Sequence, residues 1–145
     1  MNLLPILAAL SLNGTFFTST GKNILYTEQG PISYQDCNVE LGIESTASAL
    51  TIHSLKGNCQ SPSYYAFNDH VSELQFKLLS DGTLLLPSGK KAGTFTNDLL
   101  SISYDEDGVS LFVETSDGPN GIHLEWSIRS DERLSFDLSA DLEKR

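Results

Sequence analysis

Basic charge is scarce in this chain. Nine Lys and Arg face 19 Asp and Glu, a net charge of −10 over 145 residues. Such a balance disfavours nucleic acid and anionic membrane surfaces as partners, since both are polyanions. The deficit is uneven: residues 98–145 hold 12 acids and 4 bases (−8), and residues 1–97 hold 7 acids and 5 bases (−2). Long apolar stretches are missing too. The run Leu3-Leu4-Pro5-Ile6-Leu7-Ala8-Ala9-Leu10 has 8 residues, against the ~20 that a helix needs to span a bilayer, so no membrane span is expected. With 39 % hydrophobic and 19 % charged residues, the composition is too apolar for disorder.

Catalytic and cofactor signatures are also absent. There is no Gly-x-Ser-x-Gly elbow, and His53, His70 and His123 are scattered. Ser88-Gly89-Lys90-Lys91-Ala92-Gly93 lacks the spacing of a phosphate loop and reads as a connection between strands. Asp105-Glu106-Asp107-Gly108 carries Gly fourth rather than sixth, which predicts a hairpin turn instead of a calcium loop. No Cys-x-x-Cys occurs, so no metal site is expected. The chain is expected to be non-enzymatic and to use no cofactor.

The N-terminal apolar run has the length and flanks of a secretory signal core, although no Lys or Arg precedes it. Ala9-Leu10-Ser11 puts small residues where a signal peptidase reads, predicting cleavage before Leu12. Residues 1–11 are therefore expected to be a signal-peptide remnant and 12–145 a single domain; the alternative is a short first strand or helix. Cys37 and Cys59 are the only cysteines. Val39, Leu41 and Ile43 alternate with polar residues, and Leu50 and Ile52 resume the rhythm. Pairing residue 44 with 49 in an antiparallel hairpin puts Cys37 opposite Lys56, three residues from Cys59, so a disulfide needs a small bend at Gly57. An exported protein, secreted or periplasmic, follows from the signal and the pairing.

Alternation with period two dominates after residue 14, and no segment keeps helical spacing. Ile122, Leu124, Trp126 and Ile128 share one face; Leu134, Phe136 and Leu138, then Leu74, Phe76 and Leu78, then Leu100, Ile102 and Tyr104 repeat the scheme. Further strands are expected at 14–18, 23–28, 63–67, 83–86, 93–96 and 109–114. Turn chemistry separates them at Ser80-Asp81-Gly82, Asp105–Gly108, Ser116–Gly121 and Ser130-Asp131-Glu132, with Asp98, Asp117 and Asp131 at turn positions. The fold class is all-β: an antiparallel meander of about eight to ten strands, closed as an up-and-down barrel or folded as a sandwich. Residues 56–72, rich in Ser, Asn, Pro and Tyr, read as a long loop or lid.

Phe16, Phe76, Tyr104, Trp126 and Phe136 fall on the apolar phase, where they either fill the interior or line a cavity. Phe76, Tyr104 and Trp126 are the expected wall of a site for a small apolar ligand. Tyr26, Tyr34, Tyr64 and Tyr65 are candidates for its rim. The alternative is an interaction or inhibitor module with a filled core, whose acidic surface meets a basic protein partner.

Gly14-Thr15-Phe16 at the opening of the first strand, the Cys-led strand Cys37-Asn38-Val39-Glu40-Leu41-Gly42-Ile43, and the run of hairpins to residue 139 resemble small secreted lipocalin-like (calycin-type) proteins. Phe16 stands where that family's opening motif carries Trp. The resemblance implies an up-and-down barrel that binds a small apolar ligand or a protein, with Arg129 or Arg133 packing over the opening aromatic.

Overall fold

Residues 12–59, 67–131 and 135–145 are described by the structure, a computed structural model. The signal-peptide reading, residues 63–66 of one expected strand, Tyr64, Tyr65, Arg133 and Leu134 lie outside them. Among the described residues there is no helix, and eleven strands follow in order. They are β1 (Gly14–Thr27), β2 (Gly30–Ser45), β3 (Ala49–Cys59), β4 (Phe67–Val71), β5 (Leu74–Leu78), β6 (Thr83–Leu85), β7 (Lys91–Thr96), β8 (Leu99–Glu106), β9 (Val109–Gly118), β10 (Gly121–Ser130) and β11 (Ser135–Lys144).

Every pairing is antiparallel. From β5 onward each strand pairs with its successor, β11 returns to β1, and β1–β2 and β2–β3 complete a ring of hydrogen bonds. β4 and β5 pair with successive stretches of the same edge of β3, Cys59 to Leu55 and then Ile52 to Ala49. The architecture is thus a barrel-like closed meander, which removes most open edges. Turn residues enforce the reversals. Asn97 and Asp98 (φ 53° and 60°) join β7 to β8, and Asp107 and Gly108 (φ 53° and 78°) join β8 to β9. Two-residue loops with both φ values positive match the twist of the strands they connect. The hairpin reading of Asp105–Gly108 is therefore what the chain adopts.

The apolar phase turns inward as the alternation requires. Leu124, Trp126 and Ile128 of β10, Phe136, Leu138 and Leu142 of β11, and Leu111 and Val113 of β9 join one buried cluster with Leu12, Phe16 and Leu41. Burying a side chain of this kind is worth roughly 1.5–3 kcal/mol, so the cluster is the main stabilising element of the fold.

Four expectations need correction. The expected strands 14–18 and 23–28 are one strand, β1, whose pairing with β2 and β11 shifts register between Thr18 and Asn23 instead of ending. The expected loop 56–72 is strand at both described ends: Lys56 pairs with His70 and Cys59 with Phe67. Its polar residues misled because cross-strand hydrogen bonding does not need apolar side chains. Asp117 lies within β9, paired with Ile122, so the turn before β10 is shorter than its Gly- and Pro-rich sequence suggested. Among the described residues there are eleven strands, above the expected count of about eight to ten.

The hairpin of β2 and β3 also differs in register. Glu44 pairs with Thr51, not Ala49, and a bulge between Gly42 and Ile43 adds one more residue of offset. Two residues plus one make up the three by which the expected pairing missed. Asn38 pairs with Asn58, and Cys37 meets Cys59 across the ladder with a Cα–Cα distance of 4.2 Å and an S–S bond of 2.02 Å. No bend at Gly57 is needed. The expected disulfide is present, and it is compatible with an oxidising, exported environment.

Candidate functional site

One row of residues crosses the ring from strand to strand. Tyr34 pairs with Asn23, Asn23 with Leu138, Leu138 with Trp126, Trp126 with Val113, Val113 with Ile102, and Ile102 with Gly93. From Tyr34 to Ile102 the members of this row are buried. At Gly93 a Cβ would fall 1.9 Å from the Ser101 carbonyl oxygen, so glycine is what lets β7 approach β8 at this point. The next row places Leu25, Phe136, Ile128, Leu111 and Tyr104 in register.

The three residues expected to line a site all belong to this interior. Trp126 is fully buried, its ring edge-on to Phe136 with centroids 5.0 Å apart. Phe76 is buried and Tyr104 half-buried, and their rings meet edge-on at 6.3 Å. That second contact falls where the hydrogen-bonded wall lapses. β6 pairs with β5 only at Lys77 and Leu78, and the β7–β8 ladder runs only to Ile102. Phe76 on β5 and Tyr104 on β8 lie beyond those limits, so side chains, not a ladder, close the wall there. Leu86, at the tip of the β6–β7 hairpin, is buried as part of the core cluster.

Sequence reasoning missed Asn23. It is 1 % exposed, and neither its Oδ1 nor its Nδ2 has a hydrogen-bond partner; Trp126 Nε1 is buried and unpartnered as well. Asn23 shares the inward phase with Leu25. A polar residue at that phase is the available signal, but residues 23–28 alone do not show which face of the strand turns inward. The expected rim does not form from Tyr26 and Tyr34. Tyr34 is buried in the core, and Tyr26 points outward, its hydroxyl donating to Asp137 Oδ2 at 2.6 Å.

The outward face of β10 and β11 carries two polar clusters. Arg129 donates to Asp137 Oδ1 at 2.6 Å and to the Phe136 carbonyl at 2.9 Å, and its guanidinium lies 5.1 Å from the Tyr26 ring centroid. For Arg129 the expected contact with the opening aromatic is corrected: it covers Tyr26, while Phe16 is buried and Arg145 stacks on Phe17 at 4.3 Å; the alternative, Arg133, lies outside the described residues. Burial pushes the Asp137 carboxyl up, but hydrogen bonds from Tyr26, Ser127 and Arg129 outweigh it and hold it below the ordinary range. The bond to Asp137 raises the Tyr26 phenol above its usual value.

In the second cluster His123 Nδ1 lies 2.8 Å from Asp141 Oδ1, and Nε2 lies 2.6 Å from Glu125 Oε2 and 3.5 Å from Ser139 Oγ. Ser, His and Asp thus follow one another, yet the arrangement suits a different role from a nucleophilic triad. The bond to Asp141 raises the imidazole pKa, burial opposes it, and Glu125 raises it again, so the protonated form is favoured. An imidazolium held at both nitrogens by carboxylates is a poor base for the serine. The cluster is a charge clamp between two strands on the outer wall. Among the described residues no group of three or more His, Cys, Asp or Glu is disposed to hold a metal ion.

No protein-family model, no curated protein and no solved structure matches this chain. Its class is therefore defined by its own geometry: a closed antiparallel ring with an apolar lining and a charged outer wall.

Proposed function

We propose that this protein is a non-enzymatic, exported binding module that holds a small apolar molecule within its ring of strands. The observation that carries the proposal is the end of the β5–β6 and β7–β8 ladders beside the tip of the β6–β7 hairpin, where the Phe76 and Tyr104 rings meet. Side-chain rotation at such a point breaks no ladder bond, which suits a route to the lining. Phe76 and Tyr104 line the way in, and Trp126 forms part of the wall behind them. The disulfide supports a secreted or periplasmic setting. The up-and-down strand order and the Gly14-Thr15-Phe16 opening support kinship with lipocalin-like proteins, as part of the same proposal.

A second reading rests on the outer wall. Glu114, Glu125, Asp137, Asp141 and Glu143 stand on adjacent strands of the acidic half, a pattern that would steer a basic protein partner. One experiment separates the two. Native mass spectrometry of gently purified protein is expected to show an adduct beyond the polypeptide mass, and apolar probes are expected to quench Trp126. A bare polypeptide mass with no quenching by a panel of fatty acids and retinoids would contradict ligand binding and leave the protein-interaction reading in place.

A further inference from the structure

Among the described residues, two with unpartnered buried polar atoms, Asn23 and Trp126, stand on one row. Asn23 of β1 and Trp126 of β10 both pair with Leu138 of β11, one on each side. Two strand spacings, roughly 10 Å, separate their backbones, and both side chains are turned into the core. Trp126 Nε1 can only donate; the Asn23 amide has two donor hydrogens on Nδ2 and an acceptor at Oδ1. Three buried polar atoms without partners are costly to keep, and the two side chains that carry them flank Leu138 on one row of the interior.

The charge of the surroundings narrows what could serve them. Among the described residues the buried side chains that carry a polar N or O atom are Asn23, Tyr34, Thr115 and Trp126, and Thr115 Oγ1 already accepts from the Leu100 amide at 3.0 Å. No Lys, Arg or His among the described residues is buried. A carboxylate in this place would have donors but no countercharge, and an uncompensated buried charge is strongly disfavoured. An uncharged oxygen suits both donors, and a hydroxyl or amide hydrogen suits Asn23 Oδ1.

We infer that the interior ligand is an uncharged apolar molecule bearing one hydrogen-bonding head, an alcohol or a carboxamide, seated between Asn23 and Trp126. This rests on the ligand-binding reading above and adds the chemical class that Asn23 selects. Phe76 and Tyr104 then lie toward the tail, at the lapse in the wall.

The test is calorimetric titration of the disulfide-intact protein with decane, decanol, decanamide and decanoate at neutral pH. Decanol and decanamide are expected to bind about tenfold tighter than decane or decanoate, the scale of one well-made hydrogen bond. Asn23→Leu is expected to erase that advantage, so that decanol and decanamide bind no tighter than decane. Trp126→Phe, which keeps an aromatic ring and removes only the N–H donor and some volume, checks the same point should the first variant fold poorly; it is expected to narrow the advantage of decanol and decanamide over decane. Equal binding of all four probes, or tightest binding of decanoate, overturns the inference while the apolar-ligand reading stands. Binding of none of the four by the native protein overturns both.

Discussion

Phe136→Ala is expected to destabilise the protein by about 3–5 kcal/mol, the usual cost of truncating a buried aromatic. Phe136 is 1 % exposed and packs edge-on against Trp126 at 5.0 Å. It pairs with Leu25 on one side and Ile128 on the other, so it stands at the β1–β11 seam that closes the ring. Truncation removes the ring contact and leaves a space that strands fixed by ladders on both sides cannot collapse to fill. The outward Phe112, opposite Ser103 and Ser127, provides the control; its alanine variant should cost about 1 kcal/mol or less. Urea denaturation followed by far-ultraviolet circular dichroism measures both, with the slope unchanged if the denatured state is unaffected. Equal losses at the two positions would mean that the alternation does not separate an inside from an outside.

The second large effect belongs to the disulfide. Cys37 and Cys59, 22 residues apart, are directly opposed across β2 and β3. In the chain-entropy model a loop of this length contributes about 3 kcal/mol by restricting the unfolded chain. Replacing both cysteines with serine is expected to lower the unfolding free energy by that amount while the strand content persists, because the remaining ladders do not depend on the bond. The same denaturation experiment reads it. A double variant as stable as the parent would show that the pairing adds nothing, and one lacking strand signal would show that the ring depends on it.

Much of this architecture was legible because alternation in an antiparallel sheet reports burial directly. Leu124-Glu125-Trp126-Ser127-Ile128 places its large residues inside and its polar ones outside, and the structure agrees residue by residue. Turns at Asn97–Asp98 and Asp107–Gly108 were legible because few residues tolerate positive φ. Register was not legible. The bulge at Gly42–Ile43 has no sequence mark strong enough to fix it, and one extra residue there decides whether the cysteines meet. Closure of the ring through β1 and β11 was equally hidden, since it joins residues more than a hundred positions apart, as Tyr26 and Asp137 show. The inward placement of Phe76, Tyr104 and Trp126 followed from the rhythm, but that of Asn23 did not. A lone amide in a strand reads as surface until its neighbours' facing is known, and here that facing is set by the pairing of Asn23 with Tyr34 and Leu138.

The account depends on a single interior shut off from water, and the chain's one tryptophan reports on it. Acrylamide quenching of native Trp126 tests this most directly. The expected result is blue-shifted emission and a quenching constant far below that of the urea-unfolded protein; emission near that of free indole, quenched equally in both states, would contradict it.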